Sequence, residues 1–117
     1  MDKQDSLIWR QAVEQALADK KALEVRFLDV REVFPLADYF VIAQGSSYRH
    51  LMTLCDTCID LARTHKVPYT VQGRDQGTSW IALDLCSVFV HLFLEDVRKE
   101  VGLEELWAPL ISQKPPL

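Results

Sequence analysis

The segment Asp38-Tyr39-Phe40-Val41-Ile42-Ala43-Gln44-Gly45-Ser46-Ser47 decides the fold. Its aromatic and β-branched run, Asp38 to Ala43, reads as a strand, and Gly45-Ser46-Ser47 ends that strand and opens a helix. The helix shows a stripe of Leu51, Leu54, Cys55, Cys58, Ile59 and Ala62 at helical spacing, with Asp56, Asp60 and Arg63 on other faces. Pro68 stops it, and Tyr69-Thr70-Val71-Gln72 reads as another strand. A long helix between two strands is a crossover, so those strands run parallel if they share a sheet.

Upstream, Asp5 or Ser6 is expected to cap a first helix, whose buried face is Trp9, Ala12, Val13, Ala16 and Leu17. Lys20 and Lys21 suit its negative end. Glu24-Val25-Arg26-Phe27-Leu28 forms the core of a strand between Leu23 and Val30, and Pro35 lies in the connection that follows. Downstream of the crossover, Gly73 to Thr78 is turn-rich. Ser79–Leu85 and Val88–Leu94 are joined too tightly for anything but an antiparallel hairpin. A short helix spans Glu95–Val101 with Gly102 as its C′ residue, and Leu103, Leu106 and Trp107 make one more apolar patch. Pro109, Pro115 and Pro116 mark 108–117 as a tail behind a domain of residues 1–107. The order α-β-β-α-β-β-β-α predicts a single mixed α/β domain, a five-stranded mixed sheet with helices packed on it.

Composition narrows the function. The chain has 117 residues, 49% hydrophobic and 26% charged, which is one domain's worth with material for a core. A net charge of -4 disfavours direct, sequence-specific binding of nucleic acid. Three cysteines, an odd count without the paired spacing of a secreted framework, suit a reducing compartment. From the polar, acidic start neither a signal nor a transit peptide is expected. No apolar run approaches the roughly 20 residues that span a bilayer. A soluble cytoplasmic domain with no membrane contact is the expectation. The acidity is local: residues 1–83 balance to -1, whereas 84–107 balance to -4. Such a segment steers basic partners, although a solvated acidic helix has the same composition.

Candidate chemistry is sparse. Cys55 and Cys58 form a C-x-x-C, but about two turns into a helix and on its apolar stripe, where thiols pack as small hydrophobes. His50 and His65 lie on that same helix, and one helix cannot surround a zinc ion. Gly45-Ser46-Ser47 has the look of a nucleotidyltransferase opening turn. The paired strand carboxylates that hold Mg²⁺ in such enzymes are missing, because Asp84-Leu85-Cys86 offers only one. No G-x-S-x-G elbow is present, so no catalytic residues, cofactor or metal are assigned. Alternation places Trp80, Ala82 and Asp84 on one strand face, and His91 with Phe89 and Phe93 on one face of the next strand. Adjacent strands bring Trp80, Asp84 and His91 together, either as an open hot spot or as a helix-covered core with a buried His–Asp hydrogen bond. Both readings stand at this point.

The segment 38–50, then Gly73, Trp80-Ile81-Ala82-Leu83-Asp84 and Val88-Phe89-Val90-His91-Leu92-Phe93, then Glu95, Arg98 and Leu103-Glu104-Glu105-Leu106-Trp107, resemble in order the ribosomal silencing factor (Iojap-like) family. Leu85-Cys86-Ser87 departs from it, standing where that family more often has a Gly-Asp pair. The resemblance implies a nucleotidyltransferase-like fold without the activity. It implies binding to the large ribosomal subunit through its basic ribosomal protein L fourteen, on the inter-subunit face, which blocks small-subunit joining and represses translation. It also implies a homodimer when free. Trp80, Asp84, His91 and Glu95 are the expected partner-binding residues, Trp80 as anchor and Asp84 and Glu95 as complementary charge. The rival readings are a degenerate nucleotide-binding domain at Gly45-Ser46-Ser47 and a dimeric scaffold. The chain is expected to be independent of metal: after mild chelation, elemental analysis should find no stoichiometric zinc and melting should be unchanged.

Overall fold

In the computed structural model, which describes residues 3–75 and 77–112, all seven residues of the strand Tyr39–Gly45 are buried. It is β2, preceded by helix α1 (Lys3–Asp19) and strand β1 (Leu23–Asp29). Helix α2 (Tyr48–Thr64) follows, then β3 (Thr70–Gln72), β4 (Trp80–Leu85), β5 (Val88–Leu94), α3 (Glu95–Val101) and α4 (Leu103–Ser112). The sheet order is β1-β2-β5-β4-β3. β2 lies antiparallel to β1 and parallel to β5, with Tyr39 opposite Val88 and Gln44 opposite Phe93. β4 is antiparallel to both β5 and β3. β3 therefore runs the same way as β2, as the crossover through α2 requires.

One face of the sheet is closed by α1 and α2. Trp9, Val13 and Leu17 meet Leu51, Leu54, Cys55, Cys58 and Ala62 over Val41, Ile81, Leu83, Val90 and Leu92. The buried Trp9 indole donates to the Leu85 carbonyl at 2.8 Å, so the largest side chain of α1 enters the core with its polar atom satisfied. Ser47 caps α2 by accepting from the His50 amide. A Cβ on Gly45 would stand 3.0 Å from the Leu51 amide nitrogen, so glycine there lets α2 seat directly on the end of β2.

The other face is covered only in part. Arg98 of α3 reaches across β2 and β1, donating to Gln44 Oε1 at 2.9 Å and to the Glu24 carbonyl at 2.7 Å. Its Nε donates to Glu104 of α4 at 2.8 Å. Trp107 then packs edge-on against Phe34 and Phe40, with ring centroids 5.6 and 5.1 Å away.

Two expectations need correction. The first helix already includes Lys3, so Asp5 and Ser6 sit inside its first turn and neither is the cap; Ser6 is fully buried. The segment after Gly102 is a fourth helix through Ser112, with Pro109 inside it, so residues 108–112 continue the fold and are no tail. Seating Trp107 in the aromatic nest offsets the one hydrogen bond that proline cannot donate. Pro115 and Pro116 lie outside the described residues.

Cys55 and Cys58 are buried, whereas Cys86 is exposed. Burial raises both buried thiols, Cys58 to about 12. In native protein one thiol should react rapidly with a labelling reagent and the other two only on unfolding. Replacing Cys55 and Cys58 together by Ala should cost on the order of 1–3 kcal/mol through lost packing. Cys86, at φ 71 in the two-residue β4–β5 turn, holds a conformation natural to glycine. Cys86→Gly should raise stability by about 1 kcal/mol, read from the urea midpoint.

Candidate functional site

Alternation along β3, β4 and β5 sends Thr70 and Gln72, then Trp80, Ala82 and Asp84, then Phe89, His91 and Phe93 to the face that α1 and α2 do not cover. They floor a groove. One part, of about 380 Å³, is lined by Leu36, Thr70, Gln72, Ala82, Leu83, Asp84, Phe89 and His91. A second part, of about 250 Å³, is lined by Gln72, Gly73, Trp80 and Ala82. The shared residues Gln72 and Ala82 make the two continuous. Among the described residues, every one lining the groove belongs to a strand or a loop, and none to a helix.

Trp80 is 39% exposed, which is unusual for the largest apolar side chain. Its ring lies 5.2 Å from that of the buried Phe93, and its indole nitrogen donates to His91 Nδ1 at 3.3 Å. The Thr78 hydroxyl donates to its carbonyl at 3.0 Å. Gly73, at φ 82, passes so close that a Cβ there would stand 2.5 Å from that carbonyl oxygen. An indole N–H only donates, so His91 Nδ1 carries no proton. Burial lowers the imidazole from 6.5 to about 4, keeping it neutral at physiological pH.

Asp84 shares the groove but not a hydrogen bond with His91. His91 stands opposite Ala82, and Asp84 stands opposite Phe89. The Asp84 carboxylate accepts instead from the Cys86 amide at 2.9 Å. The helix-covered core with a buried His–Asp pair is therefore not what forms; the histidine's partner is the tryptophan, and the groove is open. Glu95 lies apart, in the first turn of α3 beyond the end of β5 and 3.8 Å from Lys99 Nζ. It borders a different cavity, of about 360 Å³, with Glu24, Gln44, Arg98, Glu104 and Glu105 among its lining. Three of the four expected residues thus share one groove, and the fourth extends an acidic margin past its Trp80 end.

Sequence reasoning missed Leu36, Thr70 and Gln72. Leu36 is 68% exposed beside Pro35, and only the three-dimensional arrangement of its loop brings it to β5. The alternation of Thr70 and Gln72 about Val71 was a usable signal for the other two.

At Gly45-Ser46-Ser47 the Ser46 amide and both serine hydroxyls already have partners. The Ser46 amide donates to His50 Nδ1 at 2.9 Å, and His50 Nε2 contacts the Lys20 carbonyl at 2.8 Å. The nearby cavity is also lined by Glu95 and Asp96, which repel an anion. Among the described residues no cluster of three or more His, Cys, Asp or Glu side chains is placed to hold a metal ion. Also among them, no helix is long and apolar enough to cross a membrane.

Known proteins share this architecture. A crystal structure of a Chromobacterium violaceum protein superposes with a TM-score of 0.83 at 26% identity, covering 92% of this chain and 88% of that one. Ribosomal silencing factor RsfS of Bacillus subtilis (strain 168) is 34% identical over 98 residues, which is 81% of this chain and 82% of that protein. Mouse "Mitochondrial assembly of ribosomal large subunit protein 1" is 30% identical over 95 residues, 78% of this chain and 41% of that longer protein. The family described as "Ribosomal silencing factor during starvation" matches residues 3–116. With nearly the whole length matched and the fold in common, the chain belongs to the ribosomal silencing factor family.

Proposed function

We propose that this chain binds the large ribosomal subunit through its basic ribosomal protein L fourteen, on the inter-subunit face, and so blocks joining of the small subunit and represses translation in the cytoplasm. The observation that carries the reading is the helix-free groove on β3, β4 and β5, with a half-exposed Trp80 held in it. Trp80 supplies an apolar anchor, His91 supports it, and Asp84 sets a carboxylate in the same groove. Glu95, Asp96, Glu100, Glu104 and Glu105 on α3 and α4 extend the negative field beyond it. A basic protein surface fits this arrangement better than a phosphate backbone does. The names of the relatives, a silencing factor and a large-subunit assembly protein, point the same way.

The mechanism is steric, with no substrate turned over. A specific interface takes about 800 Å² from each partner, a modest share of the 7080 Å² this chain exposes. Off the ribosome the same reading has the chain as a homodimer, for which exposed Ile8, Leu36, Leu106 and Trp80 offer apolar area.

Gradient sedimentation of cell extract should find the protein travelling with free large subunits. Trp80→Ala should weaken large-subunit binding by about 2 kcal/mol or more while the domain stays folded, because the side chain stands at the surface. A folded Trp80→Ala protein that binds as tightly as the parent would show this face to be the wrong one. Asp84→Asn retains an acceptor for the Cys86 amide. It should slow association and flatten its salt dependence with little change in dissociation.

A further inference from the structure

Trp80 is exposed, yet two neighbours hold its ring. Phe93 lies against the ring, and His91 Nδ1 accepts a hydrogen bond from the indole N–H. An exposed tryptophan needs no protein acceptor, since water will serve; an acceptor matters when the ring becomes covered. His91 is suited to that use. Its ring is stacked with Phe93, at 6.3 Å between centroids and 13° between planes, and edge-on to Phe40 at 5.4 Å. These two rings flank the imidazole on the side away from solvent and favour the orientation that meets the indole. The facing residues of β2, Phe40 and Ile42, are apolar. From β4 and β3 come Ala82, Asp84, Thr70 and Gln72, so among the described residues Asp84 is the one charged group lining the groove with it.

We propose that His91 is a positioning residue: its Nδ1 accepts the hydrogen bond of the Trp80 indole N–H and fixes the ring in the orientation that the large-subunit partner meets. This rests on the groove being the docking face. It adds what the partner must bring: an apolar side chain to cover the indole, and no hydrogen-bond acceptor, because that bond is made within the protein. Fixing the ring beforehand also removes the entropy that an unrestrained side chain would lose on binding.

The test reads the indole and the binding together. In isotope-labelled protein, Trp80→Phe identifies the Trp80 indole signal among the three tryptophans. His91→Leu removes the acceptor at similar volume, and His91→Gln retains one. In His91→Leu the Trp80 indole proton should exchange with solvent at least about tenfold faster, and large-subunit affinity should fall about tenfold. His91→Gln should stay within about threefold of the parent in both. In the parent, the indole signal should hold steady from neutral pH and move only towards pH 4, as the imidazole protonates and loses its acceptor. The sign is fixed by the lowered value: the neutral, accepting form is the one that folding favours, so the contact in the folded protein is lost only as pH falls through about 4, while the linked stability begins to decline below 6.5.

Unchanged indole exchange in a folded His91→Leu protein overturns the proposal. So does equal loss of binding in the Leu and Gln variants, which would make the imidazole itself the contact. If the Leu variant does not fold, the Gln variant and the parent's pH profile decide: an exposed indole in the first, or a midpoint near 6.5 in the second, overturns it. Should the indole be freed while Trp80→Phe and His91→Leu both bind at parental strength, the docking face lies elsewhere and the positioning role falls with it.

Discussion

Arg98 carries a permanent charge into a nearly buried position, and much of the uncovered face is arranged around satisfying it. A buried guanidinium is tolerable only with well-placed acceptors. Here they come from three distant parts of the chain: the Glu24 carbonyl, the Gln44 amide oxygen and the Glu104 carboxylate. To offer its carbonyl, Glu24 sits at φ 49 within β1, where the pairing with β2 slips between Leu23 and Arg26. The bulge thus has a function, as bulges that re-aim a group usually do. Glu104 in turn fixes the start of α4, and Gly102 at φ 61 provides the bend between α3 and α4.

From this anchoring follows a divided sheet. α3 and α4 cover the β1–β2 side of the second face, where Phe40 and Trp107 pack together, and leave the β3–β4–β5 side to the groove. Apart from Asp84 in the groove, the acidic side chains of this region are carried by the covering helices, so most of the negative charge borders the open half. An apolar centre with a charged margin is the usual anatomy of a protein–protein interface.

Strands β2 to β5 were legible because each is a short run with β-branched or aromatic residues that has Gly, Pro or Ser close to an end, and β5 and α3 match the reading residue for residue. Parallel β2 and β3 followed from the length of the crossover. α4 was not legible: Pro109 reads as a breaker, and only contact with Phe34 and Phe40 reveals why the helix persists. Arg98 was visible merely as a charge on a helix, since its partners lie up to 74 residues away. Within the groove, period-two alternation brought Trp80, Asp84 and His91 to one face. It did not indicate that histidine would bond tryptophan in preference to aspartate, because that depends on which pairs stand opposite in the ladder.

The strand order has a consequence for how the chain acquires its structure. β5 is the last strand in sequence and sits in the interior of the sheet, between β2 and β4. Until it arrives, β2 and β4 each present an unsatisfied edge, and Trp9 has no fixed carbonyl to meet, since Leu85 sits at the hairpin that β5 completes. No N-terminal portion is therefore a stable intermediate by itself, and the pairing of Tyr39 with Val88 closes a long loop before it contributes any energy. Topology thus ties the sheet together: it is complete only once β5 is in place, and a chain truncated before β5 is a candidate for aggregation, not a smaller working protein.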